Sequence, residues 1–231
     1  MVASWRNAPH RKPTHGRTRP MTNARQTIDE RKRALRHSIM KNRQYTTTME
    51  RIDAGELCAD AFFALPLFLR ARTQPPTIAC HVSMGTEIST LPILSEAVRR
   101  GCRLLVPRLG AGRDIGWSSL TSVEEVDALH HECTARAGHA MRPDEPDAET
   151  LPAQALADAD AIVLPALAVD SGGGRLGRGA GWYDEALMHA APSAPRIAMC
   201  WSSEFVEDPL PQSPHDVPVD AVLTEHGVTF I

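Results

Sequence analysis

The order of hydrophobic and polar positions changes period along this chain. Leu35, Ile39 and Met40 mark one side of a stretch from Asp29 to Lys41, and Thr27 or Asp29 before Glu30 supplies a start signal, which predicts a helix. Lys32 and Arg36 lie four apart and share a face of it, which by itself reads as a solvated charged face. Ile52, Leu57, Cys58, Ala61, Phe62, Leu65 and Leu69 recur near helical spacing and predict a helix from Thr48 to about Arg70, kinked before Pro66. After Pro75-Pro76 the pattern becomes short, apolar and β-branched. Thr77 to Val82 reads as a strand, Ser83 to Ser89 as a loop, Thr90 to Arg100 as a helix stopped by Gly101, and Cys102 to Pro107 as a second strand. Such a strand–helix–strand unit predicts a parallel pair with a right-handed crossover.

Residues 108 to 150 read as irregular apart from a strand candidate at Ile115 to Leu120. Gln154 to Ala159 is a short helix leading into Ala161 to Val169, a buried central strand. Trp182 to Ala191 is a helix before Pro192, and further strands follow at Ile197 to Trp201 and Ala221 to Thr224. Alternating strands and helices predict a three-layer α/β domain over residues 28–231, with a largely parallel sheet and helices on both faces. In such sheets ligands bind beyond the carboxyl ends of the strands. Glu87, the segment from Arg175 to Asp184, and Asp216 all follow strands and are expected at that edge.

The segment with the strongest chemical signal is Arg175-Leu176-Gly177-Arg178-Gly179-Ala180-Gly181-Trp182-Tyr183-Asp184. It is preceded by the turn Asp170-Ser171-Gly172-Gly173-Gly174. Glycines let backbone N–H groups approach a ligand, a helix N-terminus favours anions, and two guanidinium forks suit phosphate or carboxylate. The physical reading is a phosphate cradle carrying its own cations; the plain alternative is a glycine-rich turn with solvated arginines. The spacing is neither that of a P-loop nor the GxGxxG dinucleotide fingerprint.

Composition narrows the picture. A net charge of −3 and an aromatic content of 5% argue against a nucleic-acid or membrane partner. Five scattered cysteines without a CxxC pair suit a reducing compartment, so a cytoplasmic location is expected. His130, His131 and His139 near Cys133 match no zinc template. Residues 1–27 are basic, proline-broken and acid-free, and read as a disordered tail. An over-long start with Met21 as the true one belongs to the same reading, and an organelle-targeting segment, for which no amphipathic apolar face is present, is the alternative.

The apolar run Leu164 to Val169 with Asp170, followed by the glycine block, resembles the signature of the 5-formyltetrahydrofolate cyclo-ligases, also called 5,10-methenyltetrahydrofolate synthetases. Three blocks agree in order: Lys32-Arg33-Ala34-Leu35-Arg36, Met84-Gly85-Thr86-Glu87-Ile88-Ser89-Thr90, and His215-Asp216-Val217-Pro218-Val219-Asp220. Trp182 stands where the family usually has tyrosine, Ser89 where an acid is frequent, and His81 where an aromatic is common.

The resemblance implies a Rossmann-like layering, also seen in sugar-phosphate isomerases and CoA transferases. It implies ATP binding by residues 32–36 and 175–183, with Lys32 and Arg178 as the catalytic cations. It implies Mg2+ at Asp184 and Asp216, and folate contacts from Val82, Glu87 and residues 178–182. The implied reaction is ATP-dependent closure of 5-formyltetrahydrofolate to 5,10-methenyltetrahydrofolate with release of ADP and phosphate, by a monomer. The alternative is a non-catalytic folate- or nucleotide-binding homologue, which should lack a magnesium carboxylate or an N-terminal cation; this chain has candidates for each.

Overall fold

The computed structural model describes residues 27–69, 73–108, 115–129 and 149–231. The tail before Thr27 and the His130–His139 cluster lie outside the described residues.

Three helices begin with a reciprocal cap that is legible in the sequence. Thr27, Thr47 and Ser122 each accept a hydrogen bond from the backbone N–H three residues on, while Glu30, Glu50 and Glu125 reach back to the cap N–H. They open α1 (Ile28–Arg43), α2 (Thr48–Phe63) and α5 (Val123–Ala128), the last of which falls inside the stretch expected to be irregular. α2 is shorter than its apolar period suggested. It ends at Phe63, and Pro66 starts a separate turn, α3 (Pro66–Leu69), because proline at a first helical position sacrifices no intrahelical hydrogen bond. Cys58 and Phe62 of α2 are fully buried, whereas Ile52 and Leu57 face outward.

The main sheet is built from β1 (Thr77–Cys80), β2 (Arg103–Arg108), β3 (Gly116–Leu120), β4 (Leu151–Pro152), β5 (Ala161–Pro165), β8 (Arg196–Met199), β10 (Ala221–Thr224) and β11 (Gly227–Phe230). Their order is β11-β10-β8-β5-β1-β2-β3-β4. The run from β10 to β2 is parallel, and antiparallel strands close both edges. Side chains alternate across it with period two. Ile78, Cys80, Leu104, Val163 and Ile197 pack against α2, α5 and α4 (Leu91–Arg99). Ala79, Leu105, Ile162, Leu164 and Ala198 face a second layer that contains the 3₁₀ turn at Ala153–Asp158 and the short helix α6 (Trp182–Ala186). The expected three-layer α/β architecture with a largely parallel sheet is therefore the observed one. Among the described residues no helix is long and apolar enough to cross a membrane.

The central apolar run departs from expectation in a useful way. Ala161–Val169 is not one strand. β5 stops at Pro165, and the chain re-forms two residues later as β6 (Ala168–Asp170) in a different, three-stranded sheet ordered β7-β6-β9. Here β7 (Arg175–Leu176) pairs antiparallel with β6, and β9 (Phe205–Val206) parallel. Asp170 shapes the hairpin turn between β6 and β7: its carboxylate accepts the N–H groups of Gly172, Gly174 and Leu210. The break lifts the glycine segment off the main sheet. α1 then packs Leu35, Ile39 and Met40 against Leu167, Ala168 and Leu176. The helix expected from Trp182 to Ala191 is only the five residues of α6 followed by a 3₁₀ turn, Leu187–His189.

Candidate active site

From β1 the chain moves to β2 on one side, and later places β5 on the other. The loops after β1 and β5 therefore diverge at the point where strand order reverses, the usual location of an open α/β ligand site. Glu87 lies on the first of these loops and the glycine segment on the second. α1 and the loop before β10 complete a cavity lined by, among others, Lys32, Arg36, Glu87, Arg178, Asp184 and Asp216. Its free volume is about 150 Å³. That is below the roughly 300–1,000 Å³ of ligand pockets, because ion pairs span it. A larger depression, about 860 Å³, is a groove on the outer face of α2 and α4, and none of the site residues expected from sequence lines it.

Each charged group of the cavity has a defined partner. The Lys32 ammonium, nearly buried, donates to Asp216 and to Ser213 Oγ at 3.1 Å. Asp216 also accepts the Ser213 N–H. Burial would raise the Asp216 carboxyl, but Lys32 and the Ser213 N–H outweigh it and hold the group below the ordinary carboxylate range. Arg36 donates through Nε to Gly177 O at 2.8 Å. Arg175 is buried and committed: Nη1 donates to Pro165 O at 3.2 Å and Nη2 to Asp184 Oδ1 at 3.0 Å. Val217 N–H also donates to Asp184 Oδ1, at 3.2 Å, tying the glycine segment to the loop that carries Asp216.

Arg178 stands just before two glycine-dependent positions. Gly179 has φ +101°, and a Cβ there would lie 3.1 Å from Arg36 Cζ; Gly181, φ +73°, turns the chain into α6. The expectation of a helix N-terminus as anion site is corrected by the shortness of α6: one turn carries little dipole, so backbone amides and side-chain cations are what the segment offers. Trp182 packs edge-on against Trp117 at 5.3 Å and Tyr183 at 4.8 Å, and its buried Nε1–H has no partner. Burial raises the Tyr183 phenol well above its usual value, so it stays protonated at neutral pH. Beneath the site His81 is fully enclosed; burial lowers it despite the nearby Glu87, and the imidazole is neutral.

Of the residues singled out from sequence, the fold gathers Lys32, Arg36, Glu87, Asp216 and residues 175–184 around this one cavity. It does not bring in the rest. Arg33 and Ala34 are on the exposed side of α1, Leu35 packs beneath Leu176, and Val82 belongs to the hydrophobic core. Sequence reasoning also passed over the residues that hold the parts together. Arg43 forms a buried two-pronged pair with Glu204, Nε and Nη2 each at 2.6 Å, and donates through Nη2 to Ala166 O at 2.8 Å. It thereby clamps the end of α1 to the break after β5. Nothing local to an isolated arginine or glutamate signals such a pair.

A largely parallel sheet with a switch-point cavity, bordered by lysine, arginines, carboxylates and glycines, defines an α/β protein with one charged, glycine-lined site. The model of the 5-formyltetrahydrofolate cyclo-ligase family matches residues 28–225. The chain belongs to this family. It is 33% identical over 198 residues to the 5-formyltetrahydrofolate cyclo-ligase of Mycolicibacterium smegmatis, covering 84% of this chain and 93% of that protein. It is 28% identical over 203 residues to the mouse protein of the same name, covering 86% and 96%. The NMR structure of Aquifex aeolicus 5,10-methenyltetrahydrofolate synthetase superposes with a TM-score of 0.64 at 26% identity, covering 86% of this chain and 92% of that one.

Proposed function

We propose that this ligase closes 5-formyltetrahydrofolate to 5,10-methenyltetrahydrofolate by phosphorylating the formyl oxygen with ATP. The observation that carries the reading is the convergence of Lys32, Arg36, Arg178 and the glycine amides with Glu87 around one cavity. A formamide oxygen is a poor leaving group. Transfer of the γ-phosphoryl group to it turns it into phosphate. N10 then attacks the formyl carbon and loses its proton, and the C–O bond breaks with departure of phosphate; ADP is the other product.

Phosphoryl transfer asks mainly for positioning and charge neutralisation. Lys32, Arg36 and Arg178 supply the charge, with amides of Gly177, Gly179 and Gly181 beside them. Arg175, spent on Asp184 and Pro165 O, acts by holding Asp184 in place. Glu87 receives pterin N–H groups, and the Trp182–Tyr183 pair gives the ring an apolar wall.

Asp184 and Asp216 fit a magnesium ion. Both line the cavity, and each takes its hydrogen bonds on a single oxygen, Oδ1 of Asp184 and Oδ2 of Asp216, leaving the other oxygen for a cation. Among the described residues no group of three or more His, Cys, Asp or Glu side chains gathers, so such an ion would have to draw the rest of its shell from phosphate and water. When bound it supplies two positive charges against the phosphates.

Mixing the purified protein with 5-formyltetrahydrofolate, ATP and magnesium should produce the methenyl absorbance with stoichiometric ADP. Binding of both ligands without absorbance would instead mark a non-catalytic homologue. The reading includes a monomer in the cytoplasm, the location supported by five scattered cysteines without a CxxC pair. Light scattering of the eluted protein tests the first point, and imaging of a tagged chain the second.

A further inference from the structure

The loop that presents Glu87 takes its shape from the outer helix α2. Arg51, on the second turn of α2, meets it with both side chain and backbone. Its Nε donates to Glu87 O at 2.8 Å, and its carbonyl accepts the Ser89 N–H at 3.0 Å. One turn further along, α2 has Gly55, where a Cβ would fall 2.4 Å from Ser89 O, so helix and loop touch backbone to backbone. From the opposite side Trp201 Nε1 donates to Thr86 O at 3.3 Å. A reciprocal pair closes the base of the loop: Ser83 N–H to Thr90 Oγ1 at 2.9 Å, and Thr90 N–H to Ser83 Oγ at 3.1 Å. Arg51 does not line the cavity, yet its guanidinium holds the peptide that carries the Glu87 carboxylate.

We propose that Arg51, seated against the loop through Gly55, is a positioning residue for folate recognition, acting by fixing the Glu87 carboxylate. The proposal rests on the reading that Glu87 receives the pterin. Arg51 touches neither the glycine segment nor α1 in the contacts above, so its loss reaches ATP only through the Glu87–Arg178 contact, and releasing Arg178 there would tighten ATP and not weaken it; only the folate KM rises. A loop tether of purely structural value would lower the melting temperature, or affect both substrates alike.

The test is steady-state kinetics and thermal melting of Arg51→Ala, Arg51→Lys and Gly55→Ala, beside Glu87→Gln. Arg51→Ala should raise the KM for 5-formyltetrahydrofolate on the order of tenfold, the scale of a displacement of about 1 Å or less at a binding group. The KM for ATP should not rise beyond about twofold, a margin set by the ordinary context-dependence of such effects, and falls if Arg178 is released. Arg51→Lys, which keeps the charge and a donor, should fall between, and remains informative if the alanine variant does not fold. Gly55→Ala, which pushes on the loop from the same side, should show the same split. Equal rises in both KM values, or a lowered melting temperature with both unchanged, would overturn the positioning role. If Glu87→Gln raises the folate KM while neither Arg51 variant does, this inference fails and the functional reading stands. If Glu87→Gln leaves the folate KM unchanged, both fail.

Discussion

Arg178 and Glu87 clasp each other across the cavity: Arg178 Nε donates to Glu87 Oε1 at 2.9 Å, and Nη2 lies at the same distance from that oxygen. The Met84 N–H takes the other oxygen, at 2.9 Å. The two are thus counter-ions to each other in this structure, and on the proposed function, in which Arg178 serves phosphate and Glu87 the pterin, a pterin N–H that engages Glu87 would compete with Arg178 and free it. Arg178→Ala should therefore cost roughly 2–4 kcal/mol in kcat/KM, the range for removal of a preorganised transition-state donor. Kinetics and a melting curve check it, and near-wild-type turnover with an unchanged melting temperature would count against the cradle.

The same clasp predicts coupling between the ligands. Without folate, Glu87→Gln should bind a non-hydrolysable ATP analogue more tightly than the wild type, because Arg178 is released. The gain should vanish when Arg178→Ala is added. Calorimetric titration of the four proteins gives the double-mutant cycle, and a gain that persists without Arg178 would reduce the effect to the loss of a negative charge.

Asp216→Ala should need much more magnesium for half-maximal activity, and Asp184→Ala likewise. The double variant should lose less than the sum of the single losses, as expected of groups acting as a unit. A wild-type magnesium curve for Asp216→Ala, with only thermal stability altered, would make its loop structural.

The Arg43–Glu204 pair is a stability element. With side chains 3% and 8% exposed, removal of one partner strands a charge, so Glu204→Ala should cost about 3–5 kcal/mol in denaturant unfolding. Replacing both residues by apolar ones of similar volume should restore much of it.

Acid should weaken the link between β8 and β10. Hydrogen bonds from Arg196 hold the Asp220 carboxyl below its ordinary range. A carboxyl lowered by folding contributes its stability in full above the unfolded value, about 3.9, and loses it as pH falls from there through the lower folded value. Asp220→Asn should accordingly lower the melting temperature at pH 7, and the difference from wild type should shrink below about pH 4.

Local physics accounts for what the sequence by itself determined. Capping boxes at Thr27 and Thr47, glycine after a helix at Gly101, and short apolar runs at Thr77, Arg103 and Ala221 act over a few residues, and those elements begin within a residue or so of where the pattern put them, although α2 ends short of its expected limit. The glycine block and the ordered motifs around Lys32, Glu87 and Asp216 were legible for the same reason, since each is a local string.

Tertiary structure decided what runs over long separations. The break of one apolar run into β5 and β6 follows from two sheets competing for it, and periodicity cannot separate two strands two residues apart. Lys32 meets Asp216 across 184 positions, Arg43 meets Glu204 across 161, and Arg178 meets Glu87 across 91. Whether a lysine on a polar helix face is solvated or nearly buried against a carboxylate depends on which element docks there, and only packing settles that. The same holds for Arg175. Its composition reads as a phosphate cation, and burial against Asp184 and a strand-end carbonyl makes it a brace.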